Sequence, residues 1–162
     1  MMNRSLSPIG RIELVQLPEY GIADMIARVD TGAQTSALWA SGIVEQDDTL
    51  SFCLFGPTSP KYSGQVVQTT DYGSRLIRSS SGQRERRFTI KTIAILGGHK
   101  ISTTFTLADR SLQRYPALIG RNILRGKFIV DVQMEPSERL AQQDAAVDVH
   151  QISDSSKGKE TA

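Results

Sequence analysis

The feature that most constrains this chain is the length of its apolar segments. They recur as strand-length runs from residue 9 to residue 132: Ile9 to Leu17, Ile22 to Val29, Thr49 to Phe55, Gly64 to Thr70, Arg86 to Leu96, Ile101 to Leu107, Ala117 to Ile119 and Phe128 to Val132. Gly, Pro, Asp and Ser separate them. Short runs of alternating or continuous apolar character, punctuated by turn residues, form strands. Gly97-Gly98, between two such runs, has the composition of a hairpin turn, and Ser79-Ser80-Ser81-Gly82 marks another tight connection. The only helical stretch is short, Asn122 to Gly126, with glycine as its stop. These segments predict an all-β fold with one short helix near the C-terminal end of the domain.

The chain has 162 residues, enough for a single domain with one core. Residues 9–134 are expected to form that domain, preceded by an N-terminal segment, 1–8. From Glu135 onward Ser, Asp, Gln, Lys and Ala dominate, which predicts a disordered polar tail over 135–162.

Several function classes are excluded by composition. The lone Cys53 leaves no disulfide framework and no cysteine zinc knuckle. His99 stands beside a Gly-Gly turn and His150 in the tail, with no His-Glu-x-x-His helix, so no metal site is expected. No phosphate loop of the Gly-x-x-x-x-Gly-Lys-Ser/Thr type occurs either, so no nucleotide or other cofactor is expected. No apolar run reaches the roughly 20 residues of a membrane helix, and Met1 to Pro8 lacks a secretion-type apolar stretch, so the expected location is cytoplasmic. Residues 1–134 carry 16 Lys and Arg against 11 Asp and Glu, whereas 135–162 carry 3 against 6. This mildly basic body is far from the dense stripe of a nucleic-acid binder, and neither nucleic acid nor membrane is expected as a partner.

The stretch that carries chemistry is Ile26-Ala27-Arg28-Val29-Asp30-Thr31-Gly32-Ala33-Gln34-Thr35-Ser36. A strand runs directly into Asp-Thr-Gly-Ala. Hydrolysis by paired carboxylates needs one ionised acid and one protonated acid, a state that follows when two like charges sit too close for both to ionise. An Asp at a strand end can be aimed at such a partner, Thr31 can brace the loop, and Gly32 lets backbones approach closely. The plainer reading of the same residues is an Asx-turn closing a strand. Leu38, Trp39 and Ala37 read as core or as the wall of a subsite, and Cys53 as a buried strand residue.

Val29-Asp30-Thr31-Gly32-Ala33, followed by Ala117-Leu118-Ile119-Gly120-Arg121-Asn122-Ile123-Leu124, resembles the two signatures of the retropepsin-like aspartic proteases. The run Arg28 to Ala40, the segment Ile77 to Arg86, and Leu107 to Arg110 ahead of Tyr115-Pro116 resemble more closely a bacterial family labelled ATP-dependent zinc protease. The resemblance implies a closed acid-protease barrel. It also implies Asp30, Thr31 and Gly32 as the catalytic group, with substrate along Ala33, Gln34, Thr35, Ser80, Ser81 and Gly82. Gly120, Arg121 and Asn122 would support the site from beneath. Neither half of the zinc and ATP label has a residue basis in this chain.

A dyad built from one motif requires two chains. No second Asp-Thr-Gly or Asp-Ser-Gly occurs, and Asp71-Tyr72-Gly73 lacks the hydroxyl. The expectation is a homodimer with Asp30 from each copy on its axis, cutting a peptide or protein substrate with an activated water. The hairpin over Arg78 to Arg86 would close over the cleft, and its Ser- and Arg-rich composition points to polar or acidic substrates; otherwise it is a solvated face. A second reading keeps the barrel but not the catalysis: an accessory module beside an ATP-grasp ligase that extends peptides or proteins.

Overall fold

The computed structural model describes residues 5–78 and 81–134. The segment 135–162 predicted as a tail, and Ser80, lie outside the described residues. Eleven strands and two short helical turns follow in order: β1 (Ser7–Ile9), β2 (Ile12–Leu17), a 3-10 turn (Pro18–Tyr20), β3 (Ile22–Val29), β4 (Ser36–Gln46), β5 (Thr49–Leu54), β6 (Val66–Thr69), β7 (Tyr72–Arg78), β8 (Arg84–Leu96), β9 (His99–Ala108), β10 (Ala117–Ile119), α1 (Arg121–Leu124) and β11 (Phe128–Val130). The all-β expectation is met, and α1 begins one residue before the predicted helical stretch.

Six strands close a barrel in the order β10, β3, β2, β8, β9, β4, because β10 also pairs with β4. The pairings β10–β3 and β4–β9 are parallel and the other ring contacts antiparallel. Closure leaves the ring without a free edge and directs alternate side chains inward. Val15, Leu17, Ala27, Leu38, Phe105, Ala117 and Ile119 are buried there, and Ile123 of α1 seals them. Cys53, Leu50 and Phe52 of β5 are also buried, and Trp39 is half-buried against Gly56 and Phe55.

β4 is the strand the sequence does not announce. Its first residues, Ser36 to Trp39, pair with β10 and β9 inside the barrel, and from Ala40 onward it pairs with β5 outside it, with a register shift between Ser41 and Val44. Gly42, at a φ of 60°, sits in that shift. β8 is long for the same reason: Arg84 to Ile90 pair with β7 in a projecting hairpin, and Thr89 to Leu96 with β9 in the ring. Gly97 and Gly98 make the two-residue turn between β8 and β9 with φ of 53° and 78°, the doubly left-handed conformation that twisted hairpins favour. Ser7 and Pro8 join β1, which runs parallel to β11 and ties the start of the domain to its end.

Candidate active site

β10 lies between β3 and β4, parallel to one and antiparallel to the other. Val29 pairs with Ile119 and Ala37 with Leu118, so the connection 30–35 must arch over the exit of β10. This crossing fixes Gly120. A Cβ there would stand 2.3 Å from the Thr35 carbonyl oxygen and 2.9 Å from that of Ala33. Only a residue with no side chain lets the two segments pass.

The arch is pinned along its length. The Asp30 amide donates to the Ile119 carbonyl at 2.9 Å, the Arg121 amide to Ala33 at 2.8 Å and the Asn122 amide to Gln34 at 3.2 Å. Arg121 Nη1 donates to the carbonyls of Gly32 at 2.8 Å and Thr31 at 3.3 Å. The guanidinium therefore braces the loop through carbonyl oxygens.

Asp30 is half-buried, and its Oδ1 accepts the Gly32 amide at 2.9 Å, so the carboxyl is held in one orientation by its own turn. This is the Asx-turn of the plainer reading. Thr31 and Gly32 are exposed in the single chain, Ala33 and Thr35 half-buried, and Gln34 exposed.

One residue that holds the arch is given no role by the sequence. Ser36 is fully buried, and its Oγ accepts the Gly120 amide at 2.9 Å while donating to Asn122 Oδ1 at 2.7 Å. Asn122 Nδ2 in turn donates to the Thr104 carbonyl at 2.9 Å and to Thr103 Oγ1 at 3.3 Å. The chain of bonds ties arch, helix and β9 into one unit. Its only sequence signal was a hydroxyl residue directly after the motif.

Beside the arch opens a groove of about 510 Å³. Gln34 and Thr35 line it from the arch, Arg121, Asn122 and Arg125 from α1 and its end, and Arg75 and Thr89 from the hairpin base. Ser81 and the exposed Gly82, at a φ of 83°, lie at the hairpin turn and do not line this groove. Among the described residues no group of three or more His, Cys, Asp or Glu could hold a metal ion. Nor is any helix there long and apolar enough to cross a membrane.

A closed six-stranded barrel whose Asp-Thr-Gly arch straddles a Gly-Arg-Asn strand exit is a retropepsin-like fold. A family model described as RimB-like, retropepsin-like aspartic endopeptidase RimB, matches residues 8–144, and the chain belongs to that family. Among curated proteins it is 33% identical over 150 residues to a "probable alpha-L-glutamate ligase" of Shewanella halifaxensis, covering 89% of this chain and 32% of that protein. A protein of the same name from Shewanella pealeana is 32% identical over 134 residues, 80% of this chain and 28% of its own. The chain thus spans about a third of the length of these relatives. A crystal structure of a Legionella pneumophila protein of unknown function superimposes with a TM-score of 0.63 at 22% identity, covering 80% of this chain and 96% of that one, which is a likeness of fold.

Proposed function

We propose that the chain is an aspartic endopeptidase that acts in the cytoplasm as a homodimer, with Asp30 of each copy forming the dyad. The observation that carries this reading is the arch: a carboxyl oriented by the Gly32 amide and a loop braced by Arg121, with Thr31 and Gly32 exposed where a second copy can meet them. The two carboxyls share one proton. The ionised Asp30 takes a proton from water, whose oxygen attacks the peptide carbonyl carbon, while the protonated Asp30 gives its proton to the carbonyl oxygen. Collapse of the tetrahedral adduct re-forms the carbonyl, breaks the C–N bond and returns a proton to the leaving amine. No covalent enzyme intermediate forms. The hairpin β7–β8 supplies backbone for an extended peptide, and its arginines favour polar or acidic sequences.

A second reading is favoured by the relatives named as glutamate ligases, which share this stretch as part of a longer chain. On that reading the barrel is a non-catalytic partner of an ATP-grasp ligase, and Asp30 only closes its turn. Digestion of a diverse peptide library by the native protein and by Asp30→Asn, from acidic to neutral pH and with a chelator control, separates the two. Cleavage lost in the variant and kept with chelator is the expected result. No cleavage by folded, dimeric native protein, or cleavage unchanged in the variant, overturns the peptidase reading.

A further inference from the structure

The peptidase reading takes the hairpin arginines only as a general preference for polar or acidic sequences, whereas the groove beside the arch gathers arginines from the hairpin and from α1 in one place. Strand register places Arg75, Thr89, Thr104 and Thr106 on one face of β7, β8 and β9, since Arg75 lies opposite Arg87 and Thr89 is the partner of both Gly73 and Thr106. Arg121 and Arg125 face them from α1 and its end. Three arginines thus line one groove, and no Asp or Glu lines it. Among the described residues neither Arg75 nor Arg125 forms an ion pair. Arg75 stands across from Arg87, whose guanidinium is already paired with Glu85 at 3.2 Å, so that carboxylate is engaged by Arg87 rather than by Arg75.

The groove is distinct from the reacting carboxyl, because Asp30, Thr31 and Gly32 do not line it. It is nevertheless connected to them: Arg121, one of the residues that line the groove, donates through its guanidinium to the Thr31 and Gly32 carbonyls. Guanidinium groups present paired donors matched to carboxylate and phosphate, and the threonine hydroxyls beside them add donors of shorter reach. We propose that this groove is an oxyanion-binding site for a ligand carrying carboxylate or phosphate groups, and that its occupancy is transmitted to the Asp30 arch through Arg121. The volume, about 510 Å³, suits a ligand of several such groups rather than a single ion.

The binding half of this proposal stands whether or not the chain cuts peptides, and the transmission half rests on the arch being the working site. The test is calorimetric titration with amide NMR, using inorganic phosphate on the native protein and a triglutamate peptide on Asp30→Asn, which leaves the peptide intact. Saturable binding is expected for at least one probe, with the Thr31 and Gly32 amide signals moving. Arg75→Gln with Arg125→Gln should weaken it at least about tenfold, the scale of charge-assisted bonds removed from a site. The melting temperature without ligand should not fall, because among the described residues neither side chain forms an ion pair that the substitution would break; if the double variant does not fold, each single variant carries the same comparison. Binding of phosphate marks a free-anion site, binding of the peptide alone a site for carboxylates along a chain, and either supports the proposal. No saturable binding of either probe, or undiminished binding in the variants, overturns it. Binding that leaves Thr31 and Gly32 unmoved overturns the link through Arg121.

Discussion

Gly120→Ala tests the arch most directly, because the cost of a single methyl group there can be worked out beforehand. Gly120 has φ of −98° and ψ of −175°, extended backbone that alanine adopts freely, so any penalty is steric. The added Cβ would meet the Thr35 oxygen at 2.3 Å and its carbonyl carbon at 2.7 Å, whereas real Cβ atoms essentially never come within 3.0 Å. Both obstacles are backbone and cannot rotate away. Arch and strand exit must separate by about 0.7 Å or more, which strains the bonds from the Arg121 amide to Ala33 and from the Asn122 amide to Gln34, now at 2.8 and 3.2 Å. Overpacking contributes about 1–3 kcal/mol and each of the two lost hydrogen bonds about 1 kcal/mol, giving about 3–5 kcal/mol in all. For a domain of this size that lowers Tm by about 10–20 °C. Thermal and urea melts followed by circular dichroism measure it. Gly126→Ala is the control: at a φ of 74° with nothing within 4 Å of a new Cβ, it should cost only the left-handed strain of about 1–2 kcal/mol. A Gly120→Ala melt within about 3 °C of native, or no lower than the control, would refute the arch as a close crossing.

Two further predictions follow from individual side chains. Ser36→Ala leaves the Gly120 amide and Asn122 Oδ1 without their buried partner, and should lower stability by about 1–3 kcal/mol by urea melts; an unchanged midpoint would show that the relay carries no load. Asp109 has its carboxyl held below the usual range by hydrogen bonds from Ser111, the backbone amide first and the side chain second. Its contribution is therefore present above the unfolded value of about 3.9 and lost as pH falls through the lower folded value. Asp109→Ala should make the acid-side decline in urea midpoint shallower, and parallel pH curves for the two proteins would exclude this contribution.

Much of the site was legible because its chemistry and its spacing coincide along the chain. Asp30-Thr31-Gly32 ends a strand, Gly120-Arg121-Asn122 ends another, and the two runs proved to be neighbours in parallel register, Val29 beside Ile119. The role given to Arg121 needed only its fork of donors. Ser36 was not legible, since a serine in the sequence looks the same whether it faces water or is buried between an amide and an amide oxygen. Strand β4 escaped for a related reason, and β7 was legible only at its end, through the hairpin read over Arg78 to Arg86. The first half of β4, Ser36-Ala37-Leu38-Trp39, is rich in small residues with little preference for strands, and it is extended because β10 and β9 flank it. β7 is mostly exposed and is held by its seven-residue register with β8 rather than by burial.

By itself the sequence determined the all-β class, the turn at Gly97-Gly98 and the pair of motifs that place the chain among retropepsin-like proteins. These depend on local properties: periodicity, the conformations open to glycine, and side-chain chemistry. The tertiary structure alone decided that the Asp30 arch passes over Gly120 with no room for a methyl group. It also decided that Arg75, Arg121 and Arg125, scattered along the chain, line one groove without a carboxylate among them. Such facts depend on which segments become neighbours when the barrel closes, and long-range pairing of that kind leaves no mark on either segment alone.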